Sequence, residues 1–454
     1  MIGVPTARLG LLFGYDWDAD GFAALHHQVQ FDRAGFDLFS FPSNAWLVGF
    51  DLDRFADRQA SKGRRRGWQG VVSHNEQFGA LAAALVAERL GLPGASPESV
   101  LAAQHKLHAR RVLQQVAPEA NLAFSELDAE YGGPVPDGLV YPQFVKPVKA
   151  AFSVLARSVR DRGELHAHTR FGKRELWVIR RLVEPFERVA RARLPQAGSA
   201  HRMMLEAPIP QQTAQFNLDG WVFKGRTQAL GVVDAIMYPQ TQAFMRWEFP
   251  GKLAAAVQQR ALDIARRFLE AIDYRHGFFN MEFFYDPATD RLTVIEFNPR
   301  LASQFADLYQ RVLGVDAYAM SVALALGRDP AELPRRAPTA GMAASQVYRV
   351  FSPTAPAPMP DARQSAHLAA EFPDALLFTY PKSGHSLARD FKWLGSYRLG
   401  IVHLGGRDEH DLRERTIRAS SLLGWTAPYA DCQRPEAVGL SKSELHIVPA
   451  TGVS

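Results

Sequence analysis

The chain has 454 residues, 47% hydrophobic and 22% charged, the composition of an ordinary soluble protein with room for about three domains at roughly 150 residues each. Its single cysteine, Cys432, excludes an internal disulfide framework and suits a reducing compartment. No apolar run approaches the roughly 20 residues of a membrane helix, and the N-terminus lacks a signal-peptide pattern, so the expected location is cytoplasmic, with no membrane partner. A formal charge of +5, from 52 Lys and Arg against 47 Asp and Glu, does not demand nucleic acid and suits a binder of phosphorylated small molecules.

The first ninety residues alternate strand and helix signals. "LGLLFGY", "FDLFSFP" and "WQGVVSHNE" read as strands, and "QFGALAAALVAERLGLPG" as a helix stopped by Gly91 and Pro93. Such alternation predicts a parallel sheet, in which ligands gather at the C-terminal strand ends, where Ser73 to Glu76 would lie. The basic run "KGRRRG", Lys62 to Gly67, reads as a solvated loop. "SPESVLAAQHKLHARRVLQQV" reads as one helix with Ser96 as its cap and Pro97 in its first turn. "DGLVYPQFVKPV" is a short strand carrying Lys146, and "HRMMLEAPIP" another. "QFNLDGWVFKG" and "QALGVVDAIMY" are antiparallel strands joined through "KGRT". The clearest helix is "KLAAAVQQRALDIARRFLEAI", where Leu253, Val257, Ala261, Ile264, Phe268 and Ile272 form one apolar stripe. A Pro-rich loop begins at Pro353, and "YRLGIVHLGG" and a charged helix follow near the C-terminus.

"NMEFFYDPATDRLTVIEFNPR", Asn280 to Arg300, reads as two strands around a turn-rich loop. Symmetric pairing about Ala288 sets Glu282 opposite Val294 and Asn280 opposite Glu296. Glu282 and Glu296 are then diagonal neighbours on one face, roughly 7–8 Å apart, with Asn298 continuing that face. Two adjacent carboxylates share a proton or bind a cation, and two Glu with an Asn suit Mg²⁺. Arg300 offers a fork for a carboxylate or phosphate. Taken alone, the pattern also describes a surface hairpin whose Glu residues face water. Lys106 and Lys146 upstream supply point charges for a polyphosphate, in a chain with neither a Walker A sequence nor G-x-G-x-x-G.

Together these segments resemble the ATP-grasp superfamily over roughly residues 1 to 330, and within it the carboxylate–amine ligases similar to L-amino-acid ligases. The resemblance implies an N-terminal parallel α/β domain (1–95), a two-part ATP-binding domain of antiparallel sheets with helices (96–335, lid about 140–210) and a C-terminal α+β region (336–454). It implies that Lys106 and Lys146 contact nucleotide phosphates, that Glu206 and Ala207 meet the adenine, and that Gln215 stands where a ribose-binding carboxylate is usual. It further implies that Glu282, Glu296 and Asn298 hold Mg²⁺, with two ions expected and Mn²⁺ as a substitute, and that Arg300 lies near an acyl phosphate. The implied reaction is ADP-forming amide bond formation between small-molecule carboxylate and amine substrates, with a homodimer left open. Two departures stand out. "VKAAFSVL" lacks the glycines of the phosphate-covering loop, and "RLASQF" has Ala, Ser and Gln where relatives carry paired glycines, which implies an altered acceptor pocket. An ATP-dependent carboxylase resembling biotin carboxylase, a non-catalytic ATP sensor and a basic nucleic-acid binder are the competing readings.

Overall fold

The computed structural model describes residues 7–37, 46–130, 133–150, 155–209, 213–352 and 359–433. They fall into two units: Met1–Val232 with Lys252–Ala306 and Asp316–Arg335, and Val233–Gly251 with Asp307–Val315 and Arg336–Ser454.

The first unit begins with a parallel sheet of β1 (Ala7–Leu12), β2 (Val29–Ala34) and β3 (Gly70–Val72), ordered β2-β1-β3. Leu9, Leu11 and Leu12 of β1 are buried, as a central strand requires. Of the expected strand "FDLFSFP", Phe36 and Asp37 are irregular and 38–42 lie outside the described residues; the second strand of the sheet is Val29–Ala34. β2 is an edge strand with polar residues among apolar ones, and its Asp32 accepts from Arg66 (2.8 Å) and the Trp68 indole (2.7 Å). The run "KGRRRG" is likewise no loop. It closes a helix, Leu52–Arg66, capped by Asp51, which accepts from the Arg54 amide (2.9 Å), and by left-handed Gly67. Three arginines in the last turn oppose the negative end of the helix dipole. The Ala-rich helix spans Gly79–Leu90 and ends at left-handed Gly91.

The segment expected as one helix is two, Pro97–Gln104 and Lys106–Val116. His105 is extended between them, and its ring nitrogen accepts from the His108 amide (3.2 Å), capping the second helix. Lys106 is therefore the first residue of a new helix. A four-stranded sheet follows: β4 (Phe124–Glu130), β5 (Gln143–Pro147), β6 (Arg157–Val159) and β7 (Arg202–Glu206), in antiparallel order β4-β7-β5-β6.

The next strands are β8 (Ala214–Phe223), β9 (Arg226–Met237), β10 (Phe244–Phe249), β11 (Gly277–Asp286) and β12 (Arg291–Asn298). In the first unit they are ordered β12-β11-β8-β9. Lys224 and Gly225 join β8 to β9 with φ of 50° and 80°, the two positive values of a type I′ hairpin. The helix Ala255–Ala271 presents Val257, Ala261, Ile264 and Phe268 to the core. Phe268 stacks on Phe297 of β12 with ring centroids 3.8 Å apart, so one face of this sheet is closed by apolar packing.

In the second unit the end of β9 and β10 continue through β13 (Met342–Val350), β15 (Tyr397–Gly406) and β14 (Leu376–Thr379), in that order. Tyr348, Val402, Leu404, Leu412, Leu423 and Trp425 form its core. The charged C-terminal helix spans Glu409–Leu423, capped by Asp408 and left-handed Gly424. The start of the Pro-rich loop, 353–358, lies outside the described residues. Among the described residues no helix is long and apolar enough to cross a membrane.

Candidate functional site

The polar residues converge on the other face of the β12-β11-β8 sheet, all within the first unit. Glu282 pairs directly with Glu296 and with Asn217, while Asn280 pairs with Asn298 and Asp219. Cross-strand partners share a face, so two polar rows lie side by side: Asn217, Glu282, Glu296 and Asp219, Asn280, Asn298. The diagonal arrangement expected from symmetric pairing is therefore corrected to a direct one. The cause is a β-bulge on β12. Phe283 pairs with Val294, yet Glu282 pairs with Glu296, leaving Ile295 as an extra residue. The bulge lets Val294 face the core with Phe283 while Glu296, two residues on, faces the site with Glu282.

The bulge is held from below by Arg110, which is buried. Its Nη1 donates to Val294 O (2.7 Å) and Asn121 Oδ1 (3.1 Å), its Nη2 to Ile295 O (3.1 Å), and its Nε to Glu206 Oε1 (2.6 Å). Lys146 Nζ lies 2.8 Å from the same Glu206 oxygen. The carboxylate of Glu206 is thus committed to two internal cations, and burial, which alone would raise its pKa, is outweighed by Lys146 and Arg110. Ala207, half-buried, donates its amide to Ala123 O (2.9 Å). Burial draws Lys146 down to about 8 against the pull of Glu206.

Lys106, at its helix start, forms an ion pair with Glu296. Burial disfavours the charged form of both, but each partner more than reverses it: Glu296 titrates low and Lys106 high. Glu282 titrates well above an ordinary carboxyl, through burial and the charges of Glu296 and Glu76. Gln215 Nε2 donates to Glu282 Oε2 (3.0 Å). Asn298 Nδ2 donates to Asn280 Oδ1 (3.2 Å) and reaches Glu282 Oε1 at 3.5 Å, and Asn280 in turn donates to Asp219. Arg300 Nη2 donates to Glu76 Oε2 (2.8 Å).

All the hairpin and lysine residues expected from sequence therefore meet in one region, while Glu206 and Ala207 sit at the end of β7 beside Lys146. Sequence reasoning missed Glu76 as a partner of Arg300, although "SHNE" marked its neighbourhood. It also missed Lys149, three residues after Lys146, and Asn217 and Asp219. The last two were marked by the polar alternation Gln215, Asn217, Asp219 along β8. Among the described residues no cluster of three His, Cys, Asp or Glu offers a metal site. The donors here are two carboxylates and neighbouring amides instead. Among the described residues the buried Asn217 Oδ1 has no hydrogen-bond partner, and Glu282 sits beside a like charge. An oxygen-rich, anion-crowded set of this kind fits a hard divalent cation.

No family model matches the chain. Over 272 residues it is 30% identical to carnosine synthase 1 of Gallus gallus, covering 56% of this chain and 27% of that protein. The chain spans between a quarter and a little over half the length of the curated relatives it matches. Among solved structures, the L-amino acid ligase of Bacillus licheniformis superimposes with a TM-score of 0.64 at 16% identity, covering 92% of this chain and 97% of that one. The N5-carboxyaminoimidazole ribonucleotide synthetase of Thermus thermophilus gives 0.58 at 18% identity, covering 91% and 98%. These structural neighbours are ATP-grasp enzymes, and the chain described here has the ATP-grasp fold.

Proposed function

We propose that this chain is an ADP-forming ligase that joins a small carboxylate, with an amino acid as the favoured class, to an amine. The observation that carries this reading is the direct pairing of Glu282 with Glu296, with Lys106 on Glu296 and Arg300 beyond them. The ligase and carnosine synthase likenesses support the same class of chemistry.

In this reading Lys106 and Lys146 bind the nucleotide phosphates. The main chain at Glu206 and Ala207 meets the adenine, since the Glu206 carboxylate is held by Arg110 and Lys146. Gln215 meets the ribose. Glu282, Glu296 and Asn298 would hold Mg²⁺, as two ions or with Mn²⁺ in its place, which when bound neutralises phosphate charge and orients the terminal phosphoryl group. A carboxylate oxygen of the substrate attacks the γ-phosphorus as the bond to the bridging oxygen of ADP breaks. The amine then attacks the carbonyl carbon of the acyl phosphate, inorganic phosphate leaves, and the amine proton passes to solvent. Arg300 steadies the acyl phosphate. The chain's contribution is fixed positive charge and position, in a site preorganised by strand pairing.

The test is phosphate release over pooled amino acids and small carboxylates, with mass spectrometry of the product. A strict requirement for a second, amine substrate is expected. ADP release that depends on bicarbonate and not on an amine would point to a carboxylase instead, and nucleotide binding without turnover to a sensor. Glu296→Gln is expected to abolish product formation while the circular dichroism spectrum stays that of the parent. Parental turnover in this variant would refute the metal assignment.

A further inference from the structure

We propose that Lys149 is the contact for the substrate carboxylate, taking one of its oxygens on Nζ at the Arg300 end of the site. The proposal rests on the ligase reading above and names a residue for the acceptor half of it. Lys149 follows β5 by two positions and is 2% exposed. Its Nζ donates to Glu76 O (3.3 Å) and lies 4.9 Å from the centroid of the Phe186 ring. Among the described residues no carboxylate pairs with it. The contrast with the other two lysines is direct: Lys146 has Glu206 and Lys106 has Glu296. A buried ammonium with three donors and one long bond to a carbonyl leaves donors unmet, a costly state that a bound anion relieves. Burial draws this lysine down to about 8, against the opposing charges of Glu76 and Glu296.

Position decides which anion. Direct ion pairs set the first two lysines apart from the third. Lys146 belongs with Glu206 at the end of β7, and Lys106 with Glu296 at the centre. Lys149 is bonded to the main chain of Glu76, whose side chain holds Arg300. Glu76 lies four residues beyond β3, outside the C-terminal end of the parallel sheet, the side on which open α/β sheets receive their ligands. Gln104 Nε2 also donates to Glu76 O (2.8 Å) and fixes that carbonyl in place. Lys149 and Arg300 thus both contact Glu76, one at its carbonyl and one at its carboxylate, two neighbouring cations of the kind that receives a carboxylate.

The experiment compares Lys149→Met with the parent in two measurements. The first is the half-saturating concentration of an equimolar pool of L-amino acids and small carboxylates, read as ADP release. The second is the dissociation constant of Mg²⁺ with the non-hydrolysable analogue AMPPNP, by calorimetry. The pool constant is expected to rise tenfold or more while the nucleotide constant stays within twofold, and Lys149→Arg is expected to recover part of the loss. An unchanged pool constant overturns the proposal. So does a matching loss in nucleotide affinity, which would make Lys149 a phosphate contact. If Lys149→Met does not fold, Lys149→Gln carries the same comparison. A parent chain that binds the nucleotide but releases no ADP with any acid in the pool removes the ligase reading, and the proposal with it.

Discussion

Arg110→Met tests whether the site geometry is held by a buried clamp. The thioether keeps most of the apolar stem and removes the guanidinium, so packing changes little and four hydrogen bonds are lost. Glu206 keeps Lys146 as its counter-charge, which places the ion-pair loss at the low end of the roughly 3–5 kcal/mol typical for removing one partner of a buried pair. Val294 O loses its side-chain donor, at about 1–3 kcal/mol for a buried acceptor, while Ile295 O retains Lys146 at 3.5 Å. Because the losses share one residue they do not add fully, and about 4–5 kcal/mol is the working figure. With two units in the chain a single global unfolding free energy is not defined, so the assay is local. Amide hydrogen exchange along β12 is expected to accelerate about a thousandfold, since each 1.4 kcal/mol is tenfold in an opening equilibrium. Affinity for Mg²⁺ with AMPPNP should fall tenfold or more as Glu296 loses its fixed position. Arg110→Lys keeps the charge on Glu206 but cannot fork to both carbonyls, and should recover only part of the protection. Parental exchange in β12 of Arg110→Met, within tenfold, would refute the clamp.

His105, fully buried between its two helices, titrates at about 4, lowered by burial and then by the charge of His108. A base depressed in the folded state is protonated first in the unfolded chain, so its stabilising effect is complete above about pH 6.5 and is lost as pH falls towards 4, by about 3 kcal/mol. Thermal melts from pH 7 to pH 4 should show this decline, and His105→Gln should flatten it; an equal slope in both proteins would count against the assignment. In β8, a Cβ added at Gly220 would stand 2.2 Å from Gln228 O and 2.6 Å from the Phe279 ring. Gly220→Ala is expected to cost about 3 kcal/mol and lower the first melting transition by about 6 °C or more; an unchanged melt would show that the β8–β9 backbone yields more easily than its spacing implies.

Much of the site was legible because its residues follow the two-residue period of strands. The hairpin Asn280 to Arg300 declared itself by polar residues at alternate positions among aromatics, and Glu282, Glu296 and Asn298 do share a face. The β8 row carried the same signal in Gln215, Asn217 and Asp219. Elements defined by caps were harder to see. The helix Leu52–Arg66 has its start in Asp51 and its stop in Gly67, but its charged surface hid the apolar positions Leu52, Phe55, Ala56 and Ala60. The edge strand β2 lost to a more hydrophobic neighbour for the opposite reason, since an edge position tolerates Gln30, Asp32 and Arg33. Long-range pairings such as Arg300 with Glu76, 224 residues apart, leave no periodic trace at all.

The hairpin register shows how far pattern alone reaches. Symmetric pairing about Ala288 put Glu282 across from Val294, because an unbroken alternation assigns Val294, Glu296 and Asn298 to one face. The chain instead needs Val294 and Phe297 in the core and Glu296 and Asn298 in the site, and one inserted residue satisfies both. The adjacent apolar pair Val294 and Ile295 before Glu296 is the sequence mark of that insertion. The bulge also turns two main-chain carbonyls towards Arg110, so the residue that re-phases the strand is fastened by the same cation that holds Glu206. The pairing of Glu282 with Glu296 and the placement of Glu206 beside Lys146 are thereby coupled through one guanidinium, and a change at either end should be felt at the other.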